Sequence, residues 1–221
     1  MLQKTPKPRA VLFDWDDTII DVWQTTLEAR NIALSQMGVA PWTDEEARRR
    51  VGPSGRDLFK DLFGDRWQEA DKIYLENFYR LTAPGVPVFP HAEDILKTLS
   101  GHGIYLAVVS NRNGPSLRSE AALLQFDRYF SKMVGAGDAK ADKPHPEPVY
   151  MALQGSGIKA GADVWFIGDS PVDMRCAINA GCTPLLIETK PPPEDTLVQH
   201  PPAQRFKKHI DIMEFIKLHF S

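Results

Sequence analysis

The chain has 221 residues, of which 43% are hydrophobic and 25% are charged, a balance that allows a folded core and excludes disorder, a collagen-like repeat or a coiled-coil rod. With 26 Lys and Arg against 29 Asp and Glu, its formal net charge of −3 provides no global basic field for nucleic acid or an anionic membrane. Two cysteines are too few for a disulfide scaffold. Because no stretch approaches the roughly 18 apolar residues of a membrane span, we expect a cytoplasmic protein.

Short apolar runs along the chain predict the buried strands of a parallel sheet, since helices on both faces of such a sheet leave no polar alternation. The runs lie at residues 10–15, 104–109, 132–134, 164–167 and 183–187. Apolar residues at helical spacing lie between them, and Ser170-Pro171-Val172-Asp173 has the residue order of a helix start, with serine at the N-cap and proline at N1. This alternation predicts an α/β protein with a three-layer Rossmann-like core around a central parallel sheet.

The first two runs are separated by roughly ninety residues, far more than one strand-to-strand crossover needs. Helical patterns dominate this stretch, so we expect a small α-helical cap at residues 21–87, inserted after the first strand, with residues 84–87 as its return hinge. Residues 1–20 and 88–221 would then form the catalytic core. The proline-rich residues 190–202 are predicted to form a stiff surface loop.

Polar segments directly follow the predicted strands, apart from one that lies in the connection before residues 164–167. Open parallel sheets bind ligands at the carboxyl ends of their strands, so these segments would meet there. Crowded carboxylates repel one another unless a cation or a proton intervenes, and oxygen ligands suit Mg²⁺. A lysine beside a hard cation is typical of a phosphoryl-transfer site. The segments are Asp14-Trp15-Asp16-Asp17-Thr18, Ser110-Asn111, Lys143-Pro144-His145-Pro146 and Gly168-Asp169-Ser170-Pro171-Val172-Asp173.

In this order the segments resemble the four motifs of the haloacid dehalogenase superfamily. The predicted cap is similar to the helical cap that this superfamily places between its first and second motifs. Residues 13–19 and 109–112 look most like the phosphoglycolate phosphatase-like branch, with two departures: Arg112 stands where lysine is frequent, and Asp17 stands where glycine is frequent. The matching residues are Asp14-x-Asp16-x-Thr18, Ser110, Lys143-Pro144 and Gly168-Asp169-x-x-x-Asp173.

The resemblance implies a covalent route for the hydrolysis of a phosphate ester. Asp14 would attack phosphorus and form an aspartyl-phosphate. Asp16 would protonate the leaving oxygen and then deprotonate the attacking water. Mg²⁺ would bind the Asp14 carboxylate, the main-chain oxygen of Asp16 and Asp169, while Asp173 would be a further ligand or would hold a water on the metal.

The resemblance also implies residues that bind the substrate. Ser110, with the Asn111 amide, would bind the transferring phosphoryl group, and Lys143 would offset the negative charge on Asp14 and on the phosphate. Thr18 would help to orient its loop. Arg56 belongs to residues 51–56, where this family places a specificity loop between two cap helices, and it would hold a carboxylate or a second phosphate of the substrate.

Each of these side chains also has a purely structural explanation, as a helix cap, a turn residue or a solvated charge. The six histidines show no metal-ligand spacing, and we expect surface or capping roles for them. A cap role stays open for Asp16, Asp17, Thr18 and Asp173, a turn role for Ser110 and Asn111, and a surface role for Lys143 and Arg56.

The leading hypothesis is a Mg²⁺-dependent phosphatase that acts on a small organic phosphate monoester such as phosphoglycolate. One alternative is a phosphotransferase of the β-phosphoglucomutase type, which would pass the phosphoryl group to a sugar hydroxyl. Another is a non-catalytic binding protein on the same scaffold, which the presence of both Asp14 and Asp16 disfavours. The expected partner is a small phosphorylated metabolite, and the expected state is a monomer or a homodimer.

Overall fold

Six parallel strands form the centre of the computed structural model, which describes residues 5–50 and 54–220. The strands are β1 (Ala10–Phe13), β2 (Tyr105–Asn113), β3 (Lys132–Ala136), β4 (Val164–Gly168), β5 (Thr183–Ile187) and β6 (Gln204–Phe206). They lie side by side in the order β3-β2-β1-β4-β5-β6. In the centre, Leu12 of β1 pairs with Ala107 of β2 on one side and with Phe166 of β4 on the other.

Nine α-helices lie within the described residues. The four between β1 and β2 are α1 (Trp23–Gln36), α2 (Asp44–Arg50), α3 (Gly55–Phe63) and α4 (Trp67–Thr82). The remaining five are α5 (Ala92–Gly101), α6 (Gly114–Leu123), α7 (Glu147–Leu153), α8 (Pro171–Asn179) and α9 (His209–Phe220).

Helices cover both faces of the sheet, because successive side chains of each buried strand point to opposite sides. Val11 and Phe13 of β1 belong to a core that includes buried residues of α5, α6 and α9. Ala10 and Leu12 belong to the opposite core, which includes buried residues of α7 and α8. The predicted three-layer α/β core with a central parallel sheet is therefore confirmed.

The first four helices pack mainly on one another and form small cores of their own. Leu34 of α1 packs with Trp42, and Phe59 of α3 packs with Ala70 of α4. At the base of this group, the Asp21 N–H donates to the Pro87 carbonyl at 2.9 Å. The division into a core and a cap at residues 21–87 stays a prediction, which this backbone pairing favours.

The predicted strand boundaries are wrong at two places that matter for the site. The first strand ends at Phe13 rather than at residue 15, because the chain turns from Asp14 onward and residues 15 and 17 bond to residues 19 and 20 instead. The second strand continues to Asn113, so Ser110 and Asn111 lie within β2 and do not follow it. The pairing of β2 with β3 is irregular between Val109 and Asn113, which gives these polar residues room at the strand end.

The segment at residues 190–202 contains a short 3₁₀ turn at Glu194–Thr196, and it leads into β6, which the sequence pattern did not predict. This strand has only three residues, with Gln204 opposite Leu185 at the edge of the sheet. Its sequence, Gln-Arg-Phe, is short and mostly polar, so it forms no apolar run that would predict a strand.

Candidate active site

Asp14 is the first residue after β1, and its N–H still donates to the Ile167 carbonyl of β4 at 2.9 Å. Its Oδ1 accepts from the Trp15 N–H at 2.7 Å and lies 2.8 Å from Lys143 Nζ. Burial raises the pKa of Asp14 from 3.8 to about 7, the negative charge of Asp173 adds to the rise, and Lys143 opposes it. Because both contacts fall on Oδ1, the second carboxylate oxygen remains for chemistry.

Lys143 is a buried cation that is fixed at both its backbone and its side chain. Its Nζ lies 2.6 Å from Asp173 Oδ1 in addition to its contact with Asp14. The Asn111 amide accepts from the Lys143 N–H and donates to the Lys143 carbonyl, each at 3.0 Å. Burial alone would lower the pKa of Lys143, but the two carboxylates hold it above its ordinary value. A solvated role for Lys143 is therefore wrong.

Three carboxylates meet beside this lysine. One oxygen from each of Asp14, Asp169 and Asp173 lies within 4.8 Å of the others. Burial raises the pKa of Asp169 well above 3.8, and the neighbouring carboxylates add to the rise. Within residues 5–50 and 54–220, Lys143 is the one cation at ion-pair distance from these groups. An oxygen-only donor set with this excess of negative charge fits a hard divalent cation.

Asp173 has a structural role as well as a place in this cluster. It is fully buried at the third position of α8, and its Oδ2 accepts from the Ser170 N–H at 3.0 Å and from the Ser170 hydroxyl at 2.6 Å. The predicted helix start at Ser170 is therefore confirmed as a capping box. A side chain at Gly168 would collide with Asp173, so glycine leaves the space that Asp173 occupies.

The carboxylate of Asp16 is held by Arg112, a residue noted from the sequence only as a departure from lysine. The Nε and Nη2 atoms of Arg112 lie 2.9 and 2.5 Å from Asp16 Oδ1. The same guanidinium lies 3.6 Å from Glu120, which accepts from the Trp15 indole at 2.6 Å, and it covers the Phe78 ring at 4.3 Å. Sequence reasoning missed Glu120 as well. The two-residue spacing between Ser110 and Arg112 on one strand is the signal that could have found Arg112.

The other predicted binding residues differ in their contacts, and of Ser110, Thr18 and Arg56 only Thr18 does not line the cavity described below. Ser110 is buried, and its Oγ accepts from the Arg112 N–H at 3.2 Å. The Thr18 hydroxyl donates to Asp169 Oδ1 at 3.4 Å. Arg56 lies on α3 with its Nη2 2.8 Å from Asp142. Residues 51–53 of the predicted specificity loop lie outside the described residues.

Two further positions explain features of the first motif. Asp17 has a φ of +57°, a left-handed conformation that glycine adopts freely and aspartate tolerates, so the departure from glycine keeps the same turn. Its carboxylate lies 3.2 Å from Lys190. His209 is buried, and its Nε2 lies 2.7 Å from the Thr18 carbonyl, so the expectation of a surface or capping role is wrong for this histidine.

A cavity of about 250 Å³ separates the ends of the strands from helices α1, α3 and α4. Its roof carries aromatic and charged side chains, and its floor includes Asp14, Asp16, Ser110, Lys143 and Asp169. The roof residues include Arg30, Phe59, Trp67, Asp71 and Tyr74. The site therefore combines a buried anionic cluster with a small cavity above it that is lined by both aromatic and charged side chains.

Comparison with known proteins agrees with this geometry. A family model described as haloacid dehalogenase-like hydrolase matches residues 11–187. The chain belongs to this family. A phosphoglycolate phosphatase of Photorhabdus laumondii is 29% identical over 79% of this chain and 77% of its own length, and that of Escherichia coli K12 is 32% identical over 79% of each chain. A solved haloacid dehalogenase-superfamily hydrolase from Ehrlichia chaffeensis is 31% identical, covers 98% of this chain and 99% of its own, and has a TM-score of 0.65.

Membership of the haloacid dehalogenase-like hydrolase family confirms the predicted resemblance, its phosphoglycolate phosphatase-like character and the predicted enzyme class, a phosphoric monoester hydrolase. Among the helices of residues 5–50 and 54–220, none combines the length and the apolar character that crossing a membrane requires.

Proposed function

We propose that this chain is a Mg²⁺-dependent phosphatase that hydrolyses a small organic phosphate monoester, of the phosphoglycolate type, through an aspartyl-phosphate on Asp14. One observation carries the proposal: Asp14 lies against a buried lysine at 2.8 Å and within 4.8 Å of two further carboxylates, in the wall of a cavity. This arrangement supports the proposal, because phosphoryl transfer through a covalent intermediate uses a carboxylate, a fixed cation and a metal-type donor set close together.

Asp14 and Asp169 are the side chains that would hold Mg²⁺. Both carboxylate oxygens of Asp173 already have protein partners, Oδ1 in Lys143 and Oδ2 in Ser170. Asp173 would therefore contribute to the metal site mainly through its negative charge. Bound there, the cation would offset the charge of the carboxylates and of the phosphoryl oxygens, which otherwise repel each other.

In the first step, the carboxylate oxygen of Asp14 that is not bound to Lys143 forms a bond to phosphorus, and the bond from phosphorus to the ester oxygen breaks. Lys143 and the Ser110 hydroxyl, both lining the cavity, would stabilise the negative charge of the phosphoryl group. Asp16 gives its proton to the departing oxygen. Arg112 contacts only Oδ1 of Asp16, so Oδ2 of Asp16 is the oxygen that would carry this proton.

In the second step, a water molecule attacks phosphorus and the bond to Asp14 breaks, which releases phosphate and restores the free carboxylate. Asp16 accepts the proton of this water, so it returns to its starting state. The roof helices α1, α3 and α4 would limit the access of bulk water to the intermediate.

Two observations support a small ester. The cavity of about 250 Å³ is smaller than the roughly 300–1,000 Å³ of sites that take drug-sized ligands. The curated relatives from Photorhabdus laumondii and Escherichia coli bear the name phosphoglycolate phosphatase. A cytoplasmic location, and a monomeric or homodimeric state, remain predictions from the sequence.

The proposal is tested by phosphate release from 2-phosphoglycolate, p-nitrophenyl phosphate, ethyl phosphate and a hexose bisphosphate, each with Mg²⁺ and with a chelator. We expect Mg²⁺-dependent release, with phosphoglycolate or a similar small ester preferred. Release that survives chelation would contradict the metal requirement. Transfer of the phosphoryl group to a hexose hydroxyl in place of release would replace the phosphatase with a phosphotransferase, and silence on all four compounds would overturn the proposal.

A further inference from the structure

Arg30 is a charged residue of the cavity that neither the fold nor the proposed reaction uses. It lies on α1, and it lines the same cavity as Asp14 and Asp16. Its guanidinium carbon lies 5.8 Å from the centre of the Trp42 ring, so an aromatic side chain flanks it on the side of the helices.

Arg30 differs from the other cations of the cavity because it has no counter-ion among the residues that the structure describes. No carboxylate of residues 5–50 and 54–220 lies within 4 Å of its guanidinium, and this includes Asp71, which lines the same roof. The other three cations of the cavity each contact a carboxylate. The pairs are Arg56 with Asp142 at 2.8 Å, Arg112 with Asp16 at 2.5 Å, and Lys143 with Asp14 at 2.8 Å.

An unpaired guanidinium in this position is unfavourable unless a ligand supplies the missing charge. Burial lowers the pKa of Arg30 from its ordinary value, while Tyr74, Asp17 and Asp16 act in the opposite direction. The group remains charged at neutral pH, because arginine does not deprotonate in proteins. A partly buried charge without a partner lacks the compensation that charges in protein interiors ordinarily have.

We propose that Arg30 binds a carboxylate of the substrate, at the opposite end from the phosphoryl group. This inference rests on the proposed function. It deepens that proposal by naming the residue that would select a short phosphate monoester with a carboxylate. The planar fork of arginine matches a carboxylate with two hydrogen bonds. A second phosphate would fit less well, because the cavity walls already carry the carboxylates of Asp14, Asp16, Asp17, Asp71 and Asp169, which repel a dianion more strongly.

The test compares two esters that differ in the carboxylate, 2-phosphoglycolate and ethyl phosphate, in the full-length chain with Mg²⁺. The readout is the ratio of kcat/KM for the first ester to that for the second. We expect Arg30→Gln to lower this ratio by about 10- to 100-fold, the range of one or two hydrogen bonds to a charged group, with the loss mainly in KM. Arg30→Lys keeps the charge without the fork and should give an intermediate ratio.

Two matched variants decide between explanations. Arg66→Gln changes an exposed arginine at the start of α4, which pairs with Glu69, and should leave the ratio unchanged. Arg56→Gln tests the other arginine that the roof helices α1, α3 and α4 bring to the cavity. If the ratio falls in Arg56→Gln and stays the same in Arg30→Gln, the carboxylate is bound by Arg56 and the proposal for Arg30 is wrong. An equal loss for both esters in Arg30→Gln would also overturn it, because that result indicates a structural role.

A binding measurement separates this proposal from the proposed reaction. In an Asp14→Asn background, calorimetric titration with 2-phosphoglycolate and Mg²⁺ should show weaker binding when Arg30→Gln is added. If the wild-type chain hydrolyses no ester but Arg30→Gln still weakens this binding, the proposed function fails and the carboxylate site stands. If Asp14→Asn binds 2-phosphoglycolate equally well with and without Arg30→Gln, the proposed carboxylate site is wrong even where the wild-type chain hydrolyses the ester.

Discussion

At the scale of single residues, Arg112 determines where the carboxylate of Asp16 lies. Two of its nitrogens contact Asp16 Oδ1, and the Phe78 ring lies under its plane. Its second carboxylate partner, Glu120, also accepts a hydrogen bond from the Trp15 indole. Burial alone would lower the pKa of Arg112, but Asp16 and Glu120 raise it, so the group is a permanent cation. Arg112 therefore acts through Asp16 as a positioning residue.

Replacement of this arginine should affect poor leaving groups most. Lysine has a single side-chain nitrogen in place of the planar guanidinium of arginine, so Arg112→Lys would release the carboxylate of Asp16 from its fixed position. In the proposed reaction the leaving oxygen of ethyl phosphate takes its proton from Asp16, so we expect kcat/KM for this ester to fall by about 10- to 100-fold, a part of the roughly 10²- to 10⁴-fold that general acid catalysis contributes. For p-nitrophenyl phosphate, whose leaving group departs as an anion without a proton, the loss of kcat/KM should be several-fold smaller.

The matched control for Arg112→Lys is Arg118→Lys. Arg118 pairs with Asp138 at 2.6 Å on the surface, so it tests an arginine-to-lysine change of similar kind away from Asp16. Equal losses on the two esters in Arg112→Lys would contradict the positioning role and would indicate general damage to the site.

Asp14→Asn should abolish turnover and leave the fold intact. The amide has nearly the same shape but is a much weaker nucleophile than the carboxylate. Since burial raises the pKa of Asp14 to about 7, the folded chain disfavours its charged form, and a neutral amide should not destabilise the fold. Phosphate release and thermal unfolding measure the two halves of this prediction, and activity above a few per cent of wild type would show that the covalent route is wrong.

At the scale of secondary-structure elements, the start of α8 and the candidate site share one side chain. Asp173 accepts from Ser170 through Oδ2 and from Lys143 through Oδ1, so the capping box also sets the position of the lysine. Because Lys143 contacts Asp14, the end of β1 and the start of α8 are joined through a single cation.

Ser170→Ala should therefore reduce both stability and activity. The loss of a serine cap costs about 1 kcal/mol of unfolding free energy, measured by urea denaturation. Without the hydroxyl, Asp173 keeps one fewer partner, so we also expect a several-fold lower kcat. Thr43→Ala removes a similar cap, with Glu46 as its partner, from the exposed start of α2. It should give a comparable loss of stability without the loss of kcat, and a matching loss of kcat in both variants would contradict the link.

The elements that could be predicted from the sequence are those whose residues carry their own local signal. The apolar runs of β1, β2, β4 and β5 indicated the sheet, and the carboxylates next to them indicated the anionic cluster, because parallel strands bring their carboxyl ends to one edge. The three-residue β6 carries too short a pattern. Arg30 could not be singled out, since its significance is the lack of a counter-ion in the described part of the chain, which only the packed structure reveals.

At the scale of the whole molecule, the sheet gathers negative charge at one edge. Asp14, Asp169 and Asp173 converge there although they are far apart in the sequence, and burial raises the pKa of the first two. A cation that binds the folded chain, and not the unfolded one, should stabilise it by mass action.

Mg²⁺ should therefore raise the unfolding temperature, with a stabilisation of about 2.7 kcal/mol at 100 times its dissociation constant. In Asp169→Asn this increase should be largely lost, while the metal-free variant should be at least as stable as wild type, because a carboxylate that the fold disfavours has been neutralised. Differential scanning calorimetry with Mg²⁺ and with a chelator measures both effects. Asp163→Asn, at a surface ion pair with Arg9, is the control. An undiminished response to Mg²⁺ in Asp169→Asn would exclude Asp169 as a ligand.

The contact between Arg112 and Phe78 limits how freely helices α1 to α4 could be exchanged for those of a relative. Phe78 belongs to α4, among the helices that form the roof of the cavity, whereas the guanidinium that lies on it holds the carboxylate of Asp16 over the strand ends. Recombination that exchanged helices α1 to α4 for those of a relative would change the roof and, at the same time, the ring beneath Arg112. Exchanged helices keep the carboxylate of Asp16 in place only if they bring an aromatic ring to this position, so under the proposed function selectivity and reactivity would be inherited together.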